Sequence, residues 1–499
     1  MQLPSTLGIL KKSGYRALPV RDEIRKNLLE KIRRGEKLFP GLVGYDKTVI
    51  PSLINALLAK HNFILLGLRG QAKSRILRSL VTFLDEYIPM VAGCPLHDSP
   101  LSPLCISCRT RRESEGDDLP IEWLHRGERY NEKLATPDVS IADLIGDIDP
   151  IKAAAEKRSL SDEEVIHYGI IPRSNRGIFA INELPDLQPR IQVGLLNLLE
   201  EGDIQIRGFP VRMPLDMLIA FSANPEDYTN RGNIITPLKD RIDSQIMTHY
   251  PRTMADALAI TSQEAWLERE SPARILIPPS MGELIEEIAF MARESEYVYQ
   301  SSGVSARLSI SAIENLKSNL EKRALLTGEH TVYPRICDLG AVIPSITGKI
   351  ELVYEGEQEG ASGVAKRLIG GAVKKIFERI FPKAASPKPP PRGEQVIPQA
   401  DSLYREIITW FGKGNRIDLS DEMPWDDYYR ELKRVPALLE IAQKHLKTGD
   451  MHETAFGMEL ILEGLHQHSL IAKESADSGS SYFDMLKIMF DQMKGHYEL

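Results

Sequence analysis

The chain has 499 residues, 42% of them hydrophobic and 26% charged, with a net charge of −8. That is an ordinary globular composition with room for about three domains, and the negative balance argues against a nucleic-acid binder acting through its whole surface. No run approaches 18 apolar residues, four cysteines are too few for a disulfide scaffold, and Met1 to Val20 lacks a signal-peptide core, so a reducing cytoplasm is the expected compartment.

Residues 1–38 read as an N-terminal arm. Within it, Val20 to Gly35 has Ile24, Leu28, Leu29 and Ile32 at helical spacing, a helix expected to dock on the domain that follows. Residues 39–90 open an α/β unit. Phe39-Pro40-Gly41-Leu42-Val43-Gly44-Tyr45-Asp46 is a turn-rich entry, and Lys47 to Lys60 is a helix. The apolar run Phe63-Ile64-Leu65-Leu66 then reads as a buried parallel strand. The loop Gly67-Leu68-Arg69-Gly70-Gln71-Ala72 follows, and Lys73-Ser74 opens a helix.

Strand, glycine loop and helix are the context of a phosphate-binding loop. Backbone N–H groups at the helix start would face phosphate, Lys73 would reach the β- and γ-phosphates, and the Ser74 hydroxyl would sit on Mg²⁺. The pattern G-x-x-x-x-G-K-[ST] is met except at its last glycine, where Ala72 stands.

Residues 91–131 form an insertion rich in proline, cysteine and charge. Cys94-Pro95-Leu96-His97 and Cys105-Ile106-Ser107-Cys108 give C-x2-H and C-x2-C, a ligand set suited to a structural tetrahedral Zn²⁺ at Cys94, His97, Cys105 and Cys108. The alternative is a loop carrying three ordinary thiols.

Alternating strand and helix signals resume over 132–250. Gly177 to Ile181 is a strand ending in Asn182-Glu183, and Pro189 to Glu201 is a helix. Residues 204–213 alternate around Gly208 as a hairpin, and Met217 to Ser222 is a second buried strand ending at Asn224-Pro225. The fold expected is α/β, a parallel sheet between helices. A phosphate loop needs a metal-holding residue and a water-activating base on a neighbouring strand. Asn182, with an amide where an acid is usual, and Glu183 fill those positions, and Asn224 would hold the water or the γ-phosphate. Arg241, after Pro237-Leu238-Lys239-Asp240, is a candidate trans-acting arginine finger. Arg307 opens a helix beyond it.

From about 253 to 381 the pattern is helical, with Met281–Arg293, Ser309–Leu326 and Gly363–Ile380 as candidate helices of a second, helical domain. Residues 382–398 are a Pro-rich linker, and 399–499 a helix-rich tail containing Trp410, Phe411 and Trp425.

LVGYD, GLRGQAKSR, PRSNRGIFAINE, FSANPED and PLKDRID, in that order, resemble an AAA+ ATPase of the magnesium-chelatase ATPase-subunit and MoxR type over roughly residues 20–380. The resemblance implies a P-loop ATPase core at 39–252, with a helix-2 insertion near 143–172 and a hairpin before sensor 1 near 203–213. It also implies a helical lid and a helical C-terminal region. By the same resemblance, Val43 and Gly44 line the adenine pocket, while Gly67, Gly70, Gln71, Ala72, Lys73 and Ser74 hold ATP and Mg²⁺ together with Asn182. Glu183 is the base, Asn224 sensor 1, Arg241 the finger and Arg307 sensor 2. It implies a ring, usually a hexamer, and a partner protein carrying a von Willebrand factor A domain, since no D-x-S-x-S occurs in this chain. The expected activity is ATP-driven remodelling of a partner or metal insertion. A weakly hydrolysing switch and a DNA-remodelling ATPase are the alternatives.

Overall fold

The structure is a computed structural model describing residues 3–155, 157, 159, 165–206, 212–225, 233–382, 403–476 and 479–485. The tip of the expected hairpin at 203–213, nearly all of the Pro-rich linker, part of the 143–172 segment and the last two residues of FSANPED lie outside them. The chain forms two compact units, residues 1–250 and 251–499.

The first unit is built on five strands: β1 (Phe63–Leu66), β2 (Tyr130–Leu134), β3 (Gly177–Asn182), β4 (Met217–Ala223) and β5 (Ser244–Met247). They pair in the order β5-β1-β4-β3-β2, every pair parallel. β1, β3 and β4 are buried along their whole length, which is why they read as continuous apolar runs instead of alternating ones. Their side chains still divide by parity. Phe63, Leu65, Ile178, Ala180, Leu218 and Ala220 enter one core, while Ile64, Leu66, Phe179, Ile181, Ile219 and Phe221 enter the other.

The first of these cores is closed by α1 (Val20–Arg33) and α2 (Val49–Leu58). Helix α1 buries Val20, Ile24 and Leu28, whereas Ile32 is exposed. Glu23, on the buried face, pairs with the equally buried Arg129 at 2.6 Å. The 91–131 segment is more than an insertion. Tyr87–Val91 pairs antiparallel with Ile121–His125 as a ribbon, and its last two residues begin β2. The segment near 143–172 contains a second ribbon, Gly146–Ile148 against Ile166–Tyr168. Asp203–Gln205 pairs antiparallel with Arg212–Pro214.

The second unit is mostly helical. Its long helices are α3 (Pro279–Glu294), α4 (Arg307–Thr327), α5 (Ala361–Ile380) and α6 (Met451–Gln467). One apolar core runs from Met281 through Phe377 to Tyr404, Phe411, Tyr428 and Tyr482, so the residues before and after the linker share it. Helices α5 and α6 meet closely because Gly464 has no side chain; a Cβ there would lie 2.4 Å from the Phe377 ring. Three antiparallel strands, β6 (Ile417–Ser420), β7 (Ala472–Ala476) and β8 (Gly479–Phe483), add a small sheet in the order β6-β8-β7.

Candidate functional site

Parallel pairing aligns the carboxyl ends of three strands. Leu66 lies opposite Ala223, and Ile181 opposite Phe221, so the loop after β1, Asn182-Glu183 after β3 and Asn224 after β4 emerge along one edge of the sheet. That edge is where ligands of open parallel sheets bind.

The loop turns sharply. Gly70 has φ 75°, and Ala72 takes φ 56°, ψ 19° immediately before the helix Lys73–Ser79. The missing final glycine therefore changes the residue but not the left-handed conformation. Thr248, just after β5, clamps the loop. Its Oγ1 lies 2.7 Å from Gln71 Oε1 and 3.2 Å from the Leu66 carbonyl. A Cβ on Gly67 would collide with that hydroxyl at 1.9 Å, so only glycine fits. The Tyr45 hydroxyl lies 2.9 Å from the Gln71 and His249 carbonyls, and burial raises its pKa, which keeps it protonated as a donor. Val43 and Gly44 sit half-buried immediately before Tyr45, Gly44 with φ 78°.

Lys73 is buried beneath the loop. Its ammonium donates to the Gly67 carbonyl, to the Leu68 carbonyl at 3.1 Å and to Asn224 Oδ1 at 2.6 Å. The same Asn224 donates through Nδ2 to Glu183 Oε2 at 2.8 Å. One amide thus joins cation to carboxylate, its oxygen facing the ammonium and its nitrogen the carboxylate, the one orientation that satisfies both. Ser74 Oγ lies 3.4 Å from Asn182 Oδ1, which also accepts from Ser222 Oγ at 3.0 Å. Ser222 further accepts from the Glu183 backbone N–H at 3.3 Å, and Glu183 itself is left-handed (φ 56°). Ser222 and Thr248 carried no signal in the sequence, since a serine inside an apolar strand and a threonine just after a strand match no motif.

Arg241 follows the short helix Thr236–Asp240. It donates to Glu200 through Nε at 2.8 Å and to the Pro237 carbonyl at 3.0 Å. Arg307 is the exposed first residue of α4, in the second unit.

In the cysteine segment, the fold gathers Cys94, Asp98, Cys105 and Cys108, all buried, with their ligand atoms within 4.8 Å of one another. His97 is not in this group. Its backbone is left-handed (φ 54°), the chain reverses there, and Asp98 is the residue that joins the thiols. Sequence spacing alone favours His97 because a histidine with two residues between it and a cysteine offers a familiar chelating turn, as in C-x2-H. The loop is anchored from beneath by the segment before β3. Asn175 donates to the Leu96 carbonyl at 3.0 Å, and Arg176 to the carbonyls of Pro89 (2.7 Å) and His97 (3.1 Å).

A parallel five-strand sheet in this order between helices, with a lysine-serine loop at one strand end and Asn-Glu and Asn on its neighbours, has the architecture of an AAA+ core. The chain is 25% identical over 233 residues to the magnesium-chelatase 38 kDa subunit of Cereibacter sphaeroides, covering 46% of this chain and 64% of that protein. It is 25% identical over 218 residues to the corresponding subunit of Rhodobacter capsulatus, covering 43% and 56%. The matches thus span under two thirds of these relatives. No protein-family model matches the chain. Among solved structures, a chain of the BchI–BchD complex of magnesium chelatase aligns at 18% identity and a TM-score of 0.34, covering 64% of this chain and 98% of that one. NtrX from Brucella abortus aligns at 13% and 0.34, covering 59% and 56%. These superpositions are loose, and the sequence relationship is the firmer of the two likenesses. The sequence relationship is to the ATPase subunit of magnesium chelatase, and together with the fold it supports an AAA+ ATPase of that type.

Proposed function

We propose that this chain binds ATP with Mg²⁺ and hydrolyses it, as a ring-forming motor that remodels a partner protein or drives metal insertion. The observation that carries this reading is the Lys73–Asn224–Glu183 relay at the end of the sheet. Loop and donors fit a nucleotide triphosphate. The left-handed turns at Gly70 and Ala72 suit a loop whose N–H groups face phosphate, and Lys73 holds its charge under the loop on carbonyls it can exchange for phosphate oxygens. The Ser74 hydroxyl and the Asn182 amide oxygen would hold Mg²⁺, the latter through a bound water.

Glu183 would accept a proton from the attacking water, and Asn224 would aim its carboxylate. Arg241, paired with Glu200 in the single chain, would exchange that partner for a neighbour's γ-phosphate, and Arg307 would act as sensor 2. Val43 and Gly44 would line the adenine pocket. A hexameric ring and a von Willebrand factor A domain partner complete the reading, which rests on similarity to chelatase subunits.

One observation favours a second reading, a nucleotide-dependent switch with weak hydrolysis. Asn182 brings no negative charge to the metal, and its oxygen is already engaged by Ser222. Calorimetry separates the parts of the proposal. Lys73→Ala should weaken ATP binding at least about tenfold, because it removes the charge-assisted contacts to phosphate. Binding left intact in that variant would defeat the phosphate-loop assignment. Glu183→Gln should keep binding and lose roughly 10²–10⁴-fold in turnover, the range expected for a missing general base.

A further inference from the structure

The buried group in the cysteine segment has the features of a ligand site that lies outside the nucleotide machinery. Three Sγ atoms and one carboxylate oxygen lie within 4.8 Å of one another. Four ligands held about 2.3 Å from a tetrahedral zinc stand roughly 3.8 Å apart, so the group needs only a small contraction to close on an ion. The carboxylate is divided in its duties. Asp98 Oδ2 accepts the backbone N–H groups of Leu104 and Cys105, both at 2.8 Å, which fixes the side chain. Oδ1 is buried and has no hydrogen-bond partner, and Asp98 itself is 0% exposed.

A buried carboxylate oxygen left unpaired costs on the order of 1–3 kcal/mol or more, and a protein keeps such a group where something else satisfies it. The three cysteines belong to one buried apolar cluster with Val91, Leu96 and Leu119, a setting in which a compact cation fits better than a water-filled pocket.

We propose that Cys94, Asp98, Cys105 and Cys108 bind one structural Zn²⁺, with Asp98 and not His97 as the fourth ligand. All four positions are filled by protein and all are buried, so no coordination position remains open to substrate. The ion would join three parts of the segment: the turn after Tyr87–Val91, the chain reversal at His97, and the start of the helix Ile106–Glu115. At that helix the Cys108 N–H already caps onto Cys105 Sγ at 3.4 Å. Binding releases the thiol protons, so zinc uptake is accompanied by acid release. The site is independent of the nucleotide reading and stands whether or not ATP is hydrolysed.

The test uses the full chain purified under reducing conditions. Elemental analysis should find one zinc per chain. After removal by chelator, Co²⁺ should restore a thiolate-to-cobalt charge-transfer band and the visible bands of a tetrahedral site, saturating at one equivalent. Asp98→Ala should weaken Co²⁺ binding at least about tenfold, since loss of residues that merely support a ligand already costs 10–100-fold. His97→Ala should leave the stoichiometry and spectrum unchanged. Zinc absent from the wild type together with no cobalt band would overturn the site. Loss of metal in His97→Ala with retention in Asp98→Ala would overturn the ligand assignment. Should Asp98→Ala fail to fold, the wild-type cobalt titration and its proton release still decide whether the site exists, and Asp98→Asn, which keeps the side chain's shape and removes its charge, should weaken Co²⁺ binding in the same sense; unchanged binding in that variant would overturn the ligand assignment.

Discussion

Ala72 is the residue where sequence and geometry pull hardest against each other. A methyl group in the left-handed region costs about 1–2 kcal/mol, and the loop adopts that conformation nonetheless (φ 56°). The clamp from Thr248 and the Lys73 contacts hold it there. Ala72→Gly should therefore stabilise the first unit by about 0.5–1 kcal/mol, the relieved strain exceeding glycine's extra unfolded-state entropy. Chemical denaturation of the two proteins checks this, and a lower midpoint for the glycine variant would contradict it. Asn182 is the second such residue. If the missing charge limits metal binding, Asn182→Asp should raise turnover and lower the Mg²⁺ concentration needed for half-maximal rate, read from a magnesium titration of ATPase activity. No change in either would mean that Ser74 and the phosphates hold the ion without help from this position.

Among elements, the strands were the most legible part of the chain. β1, β3 and β4 are continuous apolar runs because they lie between two cores, and their terminal polar residues stand out against that background. The edge strand β2, YNEKL, is only half-buried and reads as a polar stretch, so the sequence places nothing there but the end of an insertion. Asp98 was hidden for a different reason. Its role depends on a chain reversal at His97, a left-handed residue that no spacing rule foresees. Helix α1 was legible as amphipathic, but its buried face also carries a charged anchor. The Glu23 carboxylate meets the Arg129 guanidinium with two bonds of 2.7 and 2.6 Å in a fully buried setting. Glu23→Leu should destabilise the first unit by roughly 3–5 kcal/mol, because it strands a buried cation. The double variant with Arg129→Leu should recover much of that loss. Equal losses in the single and double variants, measured by urea denaturation, would contradict the stranded cation as the source of the loss.

At the scale of the whole molecule, the relay of Lys73, Asn224 and Glu183 lies within the first unit, while the residues proposed to complete a working site do not all do so. Arg307 belongs to the second unit, and Arg241 is paired with Glu200 in the single chain. On the proposed reading, a finger that leaves its own chain's carboxylate to reach a neighbour's phosphate would make activity a property of the assembly. The sequence displayed these arginines only as members of an ordered series, since an isolated surface arginine carries no signal of its own. The shared core across residues 281–482 was equally out of its reach, because a proline-rich linker reads as a boundary whatever the flanking helices pack against. The most direct measurement is the steady-state ATPase rate per subunit as a function of protein concentration, with Glu183→Gln alongside. A rate per subunit that rises with concentration and vanishes in the variant is the predicted result. A rate of zero at every concentration, with ATP still bound, would contradict the motor and leave a nucleotide-dependent switch.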